Sequence, residues 1–489
     1  MIKHLRRLFK QSVVYGLAET VSRGTGFLLG YMYIRVLSLD DIGNRSGIYT
    51  VSALVSVFYT LGLDTAFLRY FLDKDLQHKQ KAIFSSAMYF TLAVGLGFLA
   101  SVWFKAGSLS LMMTDGGVNS SYIVRLLFLI ILLDTVVIFP TLVLRAENRM
   151  YYFSLISFSR FFLFIVLNII LVWFLDRGLV GVFEANLLVV AAVAILLIPV
   201  YIKYLRPVFS FAMLRKLLAF GLPTIFTLLC MRIIDFADRQ MILRMLGSAE
   251  NGMYEAAYKL GMVGIVVFVN SFRLAWHPFY LSMRDSAEKM GLLFARVTTF
   301  YTVFIGLAFL GITLFRREIF YIYTSPRIPQ HLSAIVPVVS FSYIFFGLYI
   351  IMLSGFFIKE KTKLLPIVSF SAASVNVLLN LVFIPKFGVA GAAYTTVISY
   401  VVMAGVTFVI SRRVYHVPYE YGRLTAAFSI TALAVVAQLL YEPSTMILSY
   451  IYRIALLCVP IAYYLMSDFL NDEERSFVAD KLSVFRRSN

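Results

Sequence analysis

Charge is scarce in this 489-residue chain. Asp, Glu, Lys and Arg together make 14% of it, and acids are the rarer kind, 26 against 44 bases. A soluble domain carries about a quarter charged residues to cover its surface, so the shortfall excludes a water-soluble enzyme of several domains. Cysteine is rarer still: Cys230 and Cys458 both sit in apolar stretches, which leaves no disulfide framework and no thiolate metal site. The five histidines (His4, His78, His277, His331, His416) lie in or near loops without ligand spacing, so no metal and no other cofactor is expected. Long polar segments are lacking as well, since the longest loop is 105–121. No nucleophile motif, glycine-rich phosphate loop or pair of catalytic carboxylates stands out, so the chain does not read as an enzyme.

What remains is apolar. Hydrophobic residues make 60% and aromatics 16%, with a mean hydropathy of +0.84. A bilayer span takes about 20 mostly apolar residues. On that basis segments are expected at 12–37, 46–72, 82–104, 122–144, 151–174, 180–201, 214–243, 252–276, 293–315, 333–357, 364–384, 390–411, 424–441 and 446–466. The chain is therefore expected to be an all-α integral membrane protein of fourteen transmembrane helices. The basic start MIKHLRRLFK precedes an apolar run too long for a signal peptide and lacking a small-residue cleavage site, so it reads as a retained first helix.

The net charge of +18 would suggest nucleic acid in a soluble protein. Its placement says otherwise. With the N-terminus cytoplasmic, 25 Lys and Arg fall in inside segments, 8 in outside segments and 11 within helices. That bias follows the positive-inside rule and puts both termini in the cytoplasm. Topology accounts for the basic loops; attraction to anionic lipids follows from it and needs no dedicated site.

The chain also reads twice. Tyr15-Gly16-Leu17-Ala18 returns as Phe220-Gly221-Leu222-Pro223, and Gly47-Ile48-Tyr49 as Gly252-Met253-Tyr254, both 205 residues on. Ser157-Phe158-Ser159 and Asn168 return as Ser369-Phe370-Ser371 and Asn380, 212 apart, and Gly178 and Gly181 return as Gly388 and Gly391, 210 apart. Six helices separate the copies, an even number, so both run the same way. The expected architecture is two parallel six-helix lobes, 1–208 and 209–415, followed by segments 13 and 14 and a tail in 416–489. Two lobes facing across a cleft make a transporter architecture, with access alternating as the lobes rock.

Several stretches resemble the polysaccharide (O-antigen and exopolysaccharide) flippases of the multidrug/oligosaccharidyl-lipid/polysaccharide exporter superfamily. They are Asn376 through Ala393 (NVLLNLVFIPKFGVAGAA), the FGLP that opens the seventh segment, and Asp238-Arg239 through Leu246-Gly247 to Gly252-x-Tyr254. Ser22-Arg23-x-x-Gly26-Phe27 resembles the lipid II flippase branch, but Phe58-Tyr59-Thr60 stands where that branch carries paired basic residues. The resemblance implies export of an undecaprenyl-pyrophosphate-linked glycan across the bacterial inner membrane. A glycan polymerase and a chain-length regulator are its expected protein partners, and membrane lipids its surroundings. In physical terms, Pro385 is expected to end segment 11, Gly388 and Gly391 to permit close helix approach, and Asn376 and Asn380 to hydrogen-bond across helices.

Function is expected among the charges inside the spans, each costing at least about 2.5–3.5 kcal/mol at mid-bilayer unless it faces the bundle or a wet cavity. Eleven embedded bases stand against seven acids, an interior excess of four, which suits an anionic pyrophosphate head group. Arg35, Arg125, Arg296 and Arg453 lie near helix ends and can snorkel. Arg232, Asp235, Asp238 and Arg239 stack along one side of segment 7. Arg23 and Arg232 are the leading pyrophosphate ligands, because a guanidinium pairs bidentately with phosphate. Arg239, Lys259, Arg273 and Arg69 would widen the basic surface. Glu19 with Arg23, and Glu255 with Lys259, are four apart and able to pair on one face. Tyr15, Tyr31, Tyr33, Trp276 and His277 are candidates for stacking on sugar rings, or for the interfacial aromatic belt. Asp64, Asp134, Asp235 and Asp238 are candidates for coupling to a proton or sodium gradient, beside the membrane potential, or for pairing with a nearby Arg. Two other functions were weighed: a cation-coupled drug exporter, which needs an acidic cleft, and a glycan polymerase or ligase, which needs a large outward loop.

Overall fold

A computed structural model describes residues 26–116, 119–282, 287–359, 361–467 and 469–470. The described residues are helical throughout, without a β-strand. A helix over 26–36 (α1) leads through Ser38 into α2 (Leu39–Thr60), α3 (Leu63–Phe71), α4 (Gln80–Met113), α5 (Ser120–Ala146), α6 (Met150–Asn168), α7 (Gly178–Leu196) and α8 (Ile198–Tyr204). The second half runs α9 (Phe211–Met245), α10 (Ser248–Ser282), α11 (Ala287–Leu314), α12 (Arg316–Tyr323), α13 (Ile335–Ile358), α14 (Leu365–Phe387), α15 (Val389–Val414), α16 (Tyr421–Leu440) and α17 (Met446–Met466). Among the described residues twelve helices are long and apolar enough to cross a membrane, thirteen with the bent pair α2–α3. The protein is a multi-pass membrane protein. The first expected span is described only from residue 26, so Tyr15, Glu19 and Arg23 lie outside the described residues.

Local chemistry moves several boundaries. Ser38 caps α2, accepting the Asp41 amide at 3.0 Å, and Asp40 and Asp41 fill its first turn; acids there complement the helix dipole. The helix therefore begins seven residues before the expected 46. It breaks at Leu61 and Gly62, whose φ values are 47° and 69°, and α3 leaves at 43°. The expected loop 105–121 is mostly helix, because α4 continues to Met113. Pro385 does not end α14: it sits in the last turn, and Gly388 (φ 60°) terminates the helix instead. Gly391 then passes so close that an added Cβ would stand 2.1 Å from the Phe383 carbonyl. Asn376 and Asn380 bond each other along α14 at 3.1 Å rather than across helices.

Two buried apolar clusters organise the bundle. One draws on α2 through α8 and ends on Met213, Leu214 and Leu217 at the start of α9. The other takes the rest of α9, α10 through α15, Leu29 and Tyr33 of α1 with Leu37 just after it, and also Ile42, Val172 and Val182 from the first half. α1 and the start of α9 thus each pack on the opposite half of the chain. α16 and α17 attach to α11. Arg453, expected to snorkel, is instead buried between Glu318 and Glu442.

The loop after α5 is pinned by one acid. Glu147 pairs with Arg149 at 2.8 Å and accepts from Lys203 and Tyr204 of α8. Burial pushes its carboxyl pKa up, but Lys203, Tyr204 and Arg149 outweigh that and hold it below the ordinary value. A depressed pKa contributes stability above the unfolded value and loses it as pH falls through the folded one. Glu147→Gln should therefore lower the melting temperature at pH 7, and the difference from wild type should shrink as pH falls below the ordinary carboxylate range, about 4.3; equal melting across that range would show the pairing contributes nothing.

Candidate functional site

α2 packs on α4, α5, α7, α9 and α10, and a cavity of about 680 Å³ opens along it. Arg45, Tyr49, Ser52, Ser56 and Tyr59 line one wall. Their spacing of four, three, four and three puts them on one helix face. Facing them are Tyr33 of α1, Asp134 and Thr135 of α5, Arg160 and Phe164 of α6, Asn186 of α7, Phe236 and Arg239 of α9 and Glu255 of α10. The wall is rich in hydroxyls and carries three bases and two acids.

Those charges are not equivalent. Arg160 is paired with Asp134 at 2.8 Å. Arg239 is buried and gives its guanidinium to Asp238 and Glu255, both at 2.9 Å, and to the Asp235 carbonyl at 2.6 Å; Asp238 also receives the Tyr254 hydroxyl at 2.6 Å. Losing one partner of such a buried network costs about 3–5 kcal/mol, so Arg239 holds α9 to α10. Arg45 differs. Its guanidinium stands 4.9 Å from the Tyr33 ring and 5.8 Å from that of Tyr49, and its Nε has no hydrogen-bond partner among the described residues. It is the cavity's cation without an ion pair among those residues. The cavity's three bases and two acids leave an excess of one, and Arg45, which lay outside the embedded set read from sequence, is the group that carries it.

Arg45 was missed because the second span was started at 46, which left it in an outside loop. Ser38-Leu39-Asp40-Asp41 is the signal that could have found it, since a capping serine followed by first-turn acids begins a helix.

The other expected ligands are scattered. Arg232 is exposed, one turn from Phe236 on the same face of α9. Arg69 stacks over Phe220 at 4.4 Å. Glu255 turns to Arg239, while the Lys259 ammonium lies against α1, 3.1 Å from where a Cβ on Gly30 would be. Arg273 is half-buried in α10 and already engaged. Of the acids, Asp134 and Asp238 are paired with arginines, and Asp235 accepts the Tyr400 hydroxyl at 3.0 Å. Asp64, in the first turn of α3, keeps a buried Oδ1 without a partner among the described residues. Trp276 is buried, stacked on Phe272 and bonded to Ser354 at 2.7 Å, so its ring is not presented to the cavity.

Two close backbone contacts bound the cavity along α2. At one end an added Cβ on Gly43 would stand 1.8 Å from the Ser248 carbonyl oxygen, and one on Gly252 would stand 2.2 Å from that of Leu39. At the other end, by the helix break, a Cβ on Gly62 would stand 2.4 Å from the Gly221 carbonyl, and one on Gly221 2.8 Å from that of Gly62. Both join the first half of the chain to the second.

Residues 8–284, more than half the length, match the polysaccharide biosynthesis protein family. The chain belongs to this family. No match was found among curated protein sequences. Among solved structures, the lipid II flippase MurJ in an inward closed conformation is similar at a TM-score of 0.75 and 14% identity, over 92% of this chain and 99% of that one. An inward-facing multidrug resistance MATE transporter of the MOP superfamily is similar at 0.64 and 16%, over 86% and 96%. A MOP superfamily transporter from Pyrococcus furiosus, described as having a binding pocket of reversed polarity, is similar at 0.62 and 17%, over 86% and 96%. At these identities the likeness is one of fold. It covers nearly the whole chain and does not place the protein in the lipid II branch.

Proposed function

We propose that the protein is a flippase that moves a polyprenyl-pyrophosphate-linked oligosaccharide from the inner to the outer leaflet of the bacterial inner membrane. The observation that carries this reading is Arg45: a guanidinium in a hydroxyl-lined cavity that makes no ion pair among the described residues, while Glu255 on the same wall is bound to Arg239. Water-excluded arginine forks suit pyrophosphate, and the serines and tyrosines beside it suit sugar hydroxyls. The halves 1–208 and 209–415 act as rocking lobes and 416–489 as an added pair, with both termini cytoplasmic. The polyprenyl tail stays in lipid while the head group crosses between the Gly62·Gly221 and Gly43·Ser248 contacts. Asp64 and Asp235 are the carboxylates best placed to bind a coupling proton or sodium ion, since neither has an ion pair among the described residues.

The fold is shared with drug exporters, but a cation would meet Arg45 in the cavity, which disfavours that cargo. Short loops disfavour a polymerase or ligase. Deleting the gene should cause a lipid-linked glycan to accumulate and its surface display to disappear, with drug susceptibility unchanged. A strain whose lipid-linked pool and surface glycan are both normal would sink this reading.

A further inference from the structure

The internal repeat brings corresponding residues to the same point of each half, and at one point their charges are reversed. Glu147 is the C-cap of α5, and Lys359, 212 residues on, is the C-cap of α13. Tyr204 ends α8 and Val414, 210 on, ends α15. In the first half Glu147 collects Lys203, Tyr204 and Arg149 into one neutralised cluster. The corresponding residues of the second half are Arg413, Val414 and Lys361. With Lys359 in place of the acid, nothing in this set is negative.

The geometry differs as well. A pocket of about 440 Å³ opens there between the start of α11 and the ends of α13 and α15, lined by Lys359, Tyr415, His416, Leu292 and Pro418. Lys359 and His416 are exposed to it, and Lys359 stands 6.0 Å from the Tyr415 ring. Glu420, near in sequence, is taken by Thr299 at 2.7 Å and Arg423 at 3.3 Å. Glu288 and Glu360 fall outside the described side chains. Topology explains why this face is basic, but it does not explain why one repeat binds its bases to an acid while the other leaves Lys359 at an open pocket.

We propose that this pocket is a second anion site, separate from the central cavity, which takes a phosphate-bearing group at the basic face of the second half. Lys359 supplies the point charge, His416 lines the pocket beside it, the exposed Arg413 precedes the lining Val414, and Leu292 and Pro418 offer an apolar margin where an acyl chain or a soluble ligand's body would lie. An anionic phospholipid head group and a soluble phosphate share this chemistry.

The test uses purified full-length protein in neutral phosphatidylcholine nanodiscs, followed by thermal unfolding. Phosphatidylglycerol is added to the discs in one arm and inorganic pyrophosphate to the buffer in the other. Every sample is measured with and without Arg45→Gln, so that binding in the central cavity does not contribute. Wild type is expected to be stabilised by at least one probe, and the responding arm identifies a lipid or a soluble source. Lys359→Glu, which restores the first half's charge pattern, is expected to be stable without either probe and to bind at least about tenfold more weakly. Lys359→Arg should retain binding, and Lys359→Gln should weaken it even if the Glu variant does not fold. The proposal is overturned if neither probe stabilises wild type, or if Lys359→Gln responds as wild type does.

Discussion

Arg45→Gln is expected to abolish surface display of the glycan while the protein accumulates normally in the membrane. The two halves of that result have separate physical grounds. A charge-assisted hydrogen bond is worth about 1.5–3 kcal/mol, so losing a bidentate pair to pyrophosphate removes some 3–6 kcal/mol, a hundredfold or more in binding. Folding is spared because Arg45 makes no ion pair among the described residues: Glu255 keeps its bond to Arg239, and the deleted Nε is buried without a partner among those residues. Arg239→Gln would do the opposite, leaving Asp238 and Glu255 uncompensated and lowering protein level. Arg45→Lys keeps the charge but loses the fork, and should fall between. Immunoblotting of the protein beside staining of surface glycan reads both outcomes. Normal display in Arg45→Gln, at normal protein level, would remove the pyrophosphate site from the cavity.

The second large effect is expected at Gly43. An added methyl there meets the backbone of Ser248 at 1.8 Å and of Gly252 at 3.0 Å, and backbone cannot yield as a side-chain tip can. Overpacking of this kind costs about 1–3 kcal/mol. Because the clash exists only while α2 and α10 touch, the cost falls on the closed state, shifting the equilibrium by about 5–150-fold toward separation. In Gly43→Ala, a cysteine placed at Ser52 in the cavity wall should react with a membrane-impermeant thiol reagent at least about tenfold faster than in the parent, and transport should be lost. The comparison is made in a Cys458→Ser background, since Cys458 is exposed. Unchanged labelling would mean that this contact is not a gate. Gly62→Ala should produce the corresponding opening at the other end.

Composition and hydropathy alone made the membrane class legible, and thirteen of the fourteen spans fall close to the described helices. The repeat and the signature around Gly388 led to the family for a physical reason: glycines at close approaches leave marks that survive divergence. The site was less legible. Embedded charges can be counted in a sequence, but which arginine meets which carboxylate depends on helix rotation and crossing. Arg239 and Arg45 differ only in what faces them, and Asp238 and Glu255 come from two helices. Arg45 was hidden by a boundary error of seven residues, and Arg69 by a ring, Phe220, that lies on another helix. The interior surplus of positive charge pointed toward an anion, yet several of those bases are engaged within the bundle: Arg160 by Asp134, Arg453 by Glu318 and Glu442, and Arg35 by backbone carbonyls.

Gly43 and Ser248 are 205 residues apart, the same offset that relates Gly47-Ile48-Tyr49 to Gly252-Met253-Tyr254. Each therefore touches its own counterpart. In an assembly of two identical subunits, such a contact arises only on the twofold axis, where a surface patch meets itself. Here the two sides of the contact differ: Gly43 carries no side chain, while Ser248 donates its hydroxyl to Asp40. A contact that symmetry would make identical on both sides has a yielding side and a latching side, an asymmetry open to a single chain and closed to a pair of identical subunits.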